Sequence, residues 1–173
     1  MKVLRTLFVA AVALTLAGTP IRAQEAVKPG PEHQMLKKWE GTWETTMKMA
    51  GMESKGSCTY KMELGGLWLV SNFESDLGGA KFTGKGLDSY DPAKKKYVGI
   101  WVDSWSTSPL NMEGTFDAKT KTLTMTGDGP GMDGKPTKFK AVSEWKDEDT
   151  VNFSMYMGDG KEPGFTITYK RKK

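Results

Sequence analysis

From Gly41 to the end of the chain, apolar and polar residues alternate with a period of two, and turn-forming clusters interrupt the alternation at near-even intervals. Trp43, Thr45, Met47 and Met49 share one face, with Glu44, Thr46 and Lys48 on the other. The same rhythm returns in Cys58-Tyr60-Met62-Leu64, Leu110-Met112-Gly114-Phe116, Phe139-Ala141-Ser143-Trp145, Val151-Phe153-Met155-Met157 and Phe165-Ile167-Tyr169-Arg171. Turn chemistry separates these runs at Gly65-Gly66, Asp76–Gly79, Asp91-Pro92, Asp117-Ala118, Asp147-Glu148-Asp149 and Gly158-Asp159-Gly160. Gly127 to Pro136 reads as the longest loop. About ten strands with no helix between them predict an all-β, antiparallel, up-and-down β-barrel, because closure removes exposed sheet edges. A β-sandwich is the alternative.

The residues before Gly41 read differently. Residues 1–23 have the form of a signal peptide: Lys2 and Arg5 precede an apolar run from Leu7 to Ala17, with cleavage expected after Ala23. The run is too short for a spanning helix, so no integral membrane segment is expected in the mature chain. Residues 24–30 read as a flexible leader, and residues 31–173 as one barrel domain. Within it, Met35, Leu36 and Trp39 stand at helical spacing after Pro31, which predicts a short N-terminal helix stopped by Gly41. The expected location is periplasmic or secreted.

Charge and cysteine usage narrow the function. The leader holds Lys2, Arg5 and Arg22 and no acids, so the formal +4 of the chain falls to about +1 in a mature protein of about 150 residues. That balance leaves no electrostatic footprint for nucleic acid. Cys58 is the single cysteine and cannot form an intramolecular disulfide; its place on the face of Tyr60 and Met62 predicts a buried, inert thiol. A monomer or weak dimer is expected.

Gly41-Thr42-Trp43 after a short helix, with Arg171 closing the last strand, resembles the calycin signature of lipocalins and fatty-acid-binding proteins. The resemblance implies that Trp43 closes the barrel bottom and that Arg171 packs across its ring, a cation–π contact. The chain also resembles a bacterial family described only as a domain of unknown function, number 1579. That resemblance rests on His33-x-x-Leu36…Gly41-Thr42-Trp43, Gly86-x-x-x-Tyr90-Asp91, Trp101-Val102-Asp103-Ser104, Gly114-x-Phe116-Asp117 and Ile167-Thr168-Tyr169-Lys170-Arg171. It implies a lipocalin-like barrel and carries no activity. The Arg-x-Tyr carboxylate clamp of fatty-acid-binding proteins is not matched by Tyr169-Lys170-Arg171, and the late haem-binding His of nitrobindin-like barrels has no counterpart here.

The residues that could carry chemistry are few. His33, the single histidine, has no recognisable Ser or Asp partner, and a helix-surface or capping role is expected for it. The Met47/Met49 and Met155/Met157 pairs have the softness for Cu(I), yet they read as core filler. The acids Asp128, Asp133 and Asp147 to Asp149 do not have EF-hand spacing. No metal or cofactor is therefore expected. An aromatic-rich inward set remains, drawn from Trp68 or Phe73, Tyr90, Trp101, Trp105, Trp145, Phe153 and Tyr169, with Asp88, Asp103 and Ser143 on the same parity. The expected ligand-binding residues are Tyr90, Trp101, Asp103, Trp105, Trp145 and Tyr169, around a small apolar or amphipathic ligand in a barrel cavity. The alternatives are a barrel enzyme pairing an internal Asp such as Asp103 with His33 or Tyr169, and a filled-core structural or interaction protein.

Overall fold

The computed structural model describes residues 27–131 and 134–173. The expected signal peptide and the first residues of the expected leader lie outside the described residues. A short helix, α1 (Pro31–Lys37), precedes ten strands. The first five are β1 (Gly41–Met49), β2 (Met52–Glu63), β3 (Trp68–Leu77), β4 (Ala80–Asp91) and β5 (Lys96–Asp103). The second five are β6 (Leu110–Asp117), β7 (Thr122–Pro130), β8 (Pro136–Trp145), β9 (Thr150–Met157) and β10 (Phe165–Arg171).

Each strand pairs antiparallel with the next, and β1 also pairs with β10, so the sheet closes on itself. The alternation therefore becomes an inside and an outside. Trp43, Thr45 and Met47 are buried while Glu44 and Lys48 are exposed, and the other strands follow the same rule. In β3 the inward parity is that of Leu69, Ser71 and Phe73, which turns Trp68 outward.

Two departures from the sequence reading concern strand ends. The Gly127–Pro136 segment is not one long loop: β7 and β8 stay paired as far as Pro130 opposite Pro136. A proline is tolerated at the last rung, where its missing N–H costs no ladder bond. In contrast, β5 stops at Asp103, whose Oδ1 accepts the Trp105 N–H at 2.9 Å and turns the chain. The aspartate turns form as expected. Asp91 Oδ1 accepts from Ala93 N and Lys94 N, and Asp117 Oδ1 accepts from Lys119 N and Thr120 N. Each turn ends in a lysine at positive φ, Lys95 and Lys121.

One end of the barrel is sealed by the segment between α1 and β1. The Trp39 ring lies 4.9 Å from those of Tyr60 and Trp145, 5.5 Å from Tyr169 and 5.6 Å from Trp43. Trp43 is fully buried and donates its indole N–H to the Trp39 carbonyl at 2.7 Å. Arg171 locks this floor. Its guanidinium stacks 4.1 Å from the Trp43 ring, pairs with Asp149 at 3.0 Å, and donates to the carbonyls of Glu40, Lys38 and Glu148. Gly41 has φ +118° and lies against this fork, where an added Cβ would sit 3.2 Å from Arg171 Nη1. Glycine is the residue that both the angle and the space admit.

Removing this latch should be costly. Arg171→Ala should destabilise the chain by about 2–4 kcal/mol in urea denaturation, the sum of a cation–π contact and charge-assisted hydrogen bonds. Arg171→Lys should fall between, since an ammonium keeps the charge but not the fork. Equal stability of Arg171→Ala and wild type would refute the assignment.

Candidate functional site

The interior is zoned along the barrel axis. At the helix-sealed end, the rings of Trp39, Trp43, Tyr60, Trp145 and Tyr169 form the floor. His33 belongs to this end as well. It is buried, its ring meets Tyr90 edge-on at 6.5 Å, and its Nδ1 accepts the Gly30 N–H at 3.0 Å. His33 thus caps its own helix, as the sequence suggested, but on a buried face. At the opposite end, Leu77, Phe82, Leu110, Phe139 and Phe165 are only partly buried, and no helix covers them among the described residues.

The six expected ligand-binding residues divide among these zones. Tyr90 and Trp145 lie at the floor, where Tyr90 packs on Tyr97 at 5.2 Å and Trp145 on Phe116 at 5.7 Å. Tyr169 is buried beside Trp39 and Tyr60. Trp101 lies flat against the inner wall over Gly84, where a Cβ would come 2.1 Å from its ring. Its indole N–H donates to Asp103 Oδ2 at 2.9 Å. Asp103 itself marks the far end of β5, with both oxygens engaged. Trp105 lies beyond that strand, 55% exposed, and packs on Phe82 at 5.1 Å rather than facing the interior.

The structure does not bring Asp103 and His33 together. Tyr97, at the His33 end, and Asp103 are six residues apart on one strand, roughly 20 Å. No acid–base pair forms between them.

A residue that parity noticed but did not single out is at the centre of the interior. Asp88 faces inward from β4, and the wall around it is stripped of side chains. A Cβ at Gly99 would meet Asp88 Oδ1 at 2.3 Å, and one at Gly86 would meet Ser71 Oγ at 2.5 Å. Gly99 is the register partner of Asp88, and Gly86 is that of Trp101. Gly99 thus keeps clear the space of the Asp88 carboxylate, Gly86 that of the Ser71 hydroxyl and Gly84 that of the Trp101 indole. The pattern Gly84-x-Gly86-x-Asp88, an acid among inward glycines, is the sequence signal that could have found it.

Asp88 has no hydrogen-bond or ion-pair partner in the described structure. Burial alone pushes its carboxyl up from 3.8 to about 7. The titratable groups that sense it are Cys58 and Tyr169, and Tyr60 lies between those two. All three are held neutral, chiefly by burial: the Cys58 thiol is pushed up to about 12, and both phenols well above their ordinary value. Two fully buried polar atoms also have no partner among the described residues, Thr45 Oγ1 and Trp145 Nε1. Thr45 stands opposite Tyr169 in the β1–β10 ladder. Asp88 and Tyr60 both remain only partly covered, so water-sized space persists beside them.

The hollows on the outer surface differ in kind. One of about 950 Å³ is formed mainly by outward side chains of β5 to β8, such as Val98, Ile100, Asn111 and Lys138. A cleft of about 190 Å³ lies between α1 and β2, beside His33, Lys37 and Met62. Neither includes the interior carboxylate.

The architecture is a closed ten-stranded up-and-down barrel, sealed by a helix at one end, with the unpaired Asp88 carboxylate facing inward among the described residues. Designed proteins are among the similar solved structures. A de novo fluorescence-activating β-barrel is 15% identical, with 79% of this chain and 96% of that chain covered and a TM-score of 0.46. A redesigned β-barrel bound to DFHBI is 16% identical, with 79% and 98% covered and a TM-score of 0.45. No curated protein matches. Residues 28–171 match the family described as protein of unknown function (DUF1579), and the chain belongs to that family.

The raised carboxyl of Asp88 sets a pH dependence. Its folded pKa lies above its unfolded one, so the folded state holds an extra proton between them and loses stability as pH rises through about 7. From about pH 5 to about pH 8 the loss should be about 2–3 kcal/mol. Glu113, held down to about 2 by Lys96 and Lys94, changes charge only below this window. Urea denaturation across it should show the slope in wild type and a nearly flat profile in Asp88→Asn; matching slopes would exclude the assignment.

Proposed function

We propose that this protein is a binding module that takes a small apolar or amphipathic molecule into its barrel through the end opposite α1. The observation that carries the reading is the set of interior polar groups without protein partners, the partly covered Asp88 carboxylate and the buried Thr45 Oγ1 and Trp145 Nε1, within a wall of aromatic and aliphatic side chains. A core packed for stability alone pairs its buried polar atoms, because each orphan costs about 1–3 kcal/mol. A bound ligand, or water awaiting one, supplies the missing partners. The partly buried apolar residues at the far end give an amphipathic molecule a path inward.

A second reading has its own observation. Val70, Leu87 and Ile100 lie side by side on the outer faces of β3, β4 and β5, and the last two are among the exposed large hydrophobics. Such a row suits a protein partner, and the barrel would then be a scaffold.

Native mass spectrometry of the protein purified without denaturation from its own host discriminates the two. A bound species of reproducible mass supports the binding module. An unliganded mass, with no change in melting temperature across lipid and aromatic compounds, refutes it. We also propose export, and the same spectrum tests it: the recovered chain should begin at Gln24, and a chain retaining residues 1–23 would contradict cleavage after Ala23.

A further inference from the structure

Resting on the binding reading above, we propose that Asp88 is the recognition group of the barrel and that its ligand carries a protonated amine at the end that enters first. The argument begins with the absence of any protein cation. No Lys, Arg or His pairs with this carboxylate or shifts it among the described residues, and no protein N–H or O–H reaches either oxygen. A carboxylate facing the interior in that state is expensive, and the fold nonetheless keeps room for it with Gly99, where an added Cβ would meet Asp88 Oδ1 at 2.3 Å. The missing partner is a donor that the protein does not supply.

The surroundings distinguish among donors. Trp101 lies along the same stripped wall, and Phe73 packs near it at 6.3 Å. Aromatic faces attract a cation and give an anion nothing. Tyr60, Tyr169 and Cys58 are neutral, so they neither compete for the ligand's charge nor neutralise Asp88. Thr45 Oγ1, buried to 98% and without a partner, stands across from Tyr169 and offers a second, uncharged polar contact. A ligand carboxylate would meet Asp88 with like charge and no compensating base, so fatty acids are selected against. The rest of the molecule would lie toward Phe82, Leu110 and Phe139 at the far end, which calls for an apolar body.

The experiment uses three probes that differ only at the head group: n-octylamine, 1-octanol and octanoate, titrated calorimetrically into the full protein near pH 8. Wild type should bind octylamine at least about tenfold more tightly than octanol, with octanoate weakest. Asp88→Asn should bring octylamine to within about threefold of octanol while octanol binding stays unchanged, which also reports that the variant is folded. Octanol or octanoate binding wild type as tightly as octylamine would overturn the amine assignment and leave the binding module standing. Failure of all three to bind would remove both.

Discussion

The guanidinium of Arg171 on the ring of Trp43 ties the last strand of the chain to the first, and the rest of the molecule depends on that tie. The two residues are register partners, so the contact forms only when β1 and β10 have met in the right alignment. Closure leaves no sheet edge unpaired, and it converts a two-residue sequence period into an interior. The same guanidinium holds the carbonyls of Lys38 and Glu40, which fixes the segment carrying Trp39 beneath the barrel. Barrel closure and helix docking are therefore one event at the level of side chains.

With one end sealed in this way, the polar content of the interior matters. Most of its lining is aromatic or aliphatic, and packing alone would favour filling it. Instead, glycines replace side chains on β4 and β5 where Trp101 and Asp88 lie, and the carboxylate receives no partner. The stability lost by holding that group inside without a protein partner has no structural return, since it holds no strand, turn or cap together. The proposed recognition role would account for it, because an unpaired carboxylate lined by aromatic side chains discriminates between cations and anions.

Much of this could be read from the residues. The ten strands, their closure and the short helix follow from alternation and from where the turn residues interrupt it, while the Trp43–Arg171 pair was implied by the resemblance to the calycin signature. Strand ends were less legible. Trp105 has inward parity, but Asp103 captures its backbone N–H and ends the strand before it. Gly129 and Pro130 read as loop, yet the ladder continues through them because a terminal rung tolerates proline. The site was half legible for a related reason. Parity placed Asp88 and Asp103 together, whereas depth along the strand separates them. Asp103 reaches the turn and finds two donors, while Asp88, well inside, finds none. His33 looked like surface or cap, and it became a buried cap because the helix lies under Tyr90.

The central claim is that a lone carboxylate sits inside the barrel, poised for a partner from outside the chain. Titration of the Asp88 side-chain carboxyl carbon by NMR, in the free protein and with octylamine bound, tests it most directly. The predicted result is an ionisation midpoint near 7 in the free protein, moving down when the amine is present. A midpoint in the ordinary carboxylate range in the free protein would contradict the account, since Asp88 would then have a partner or bulk water already.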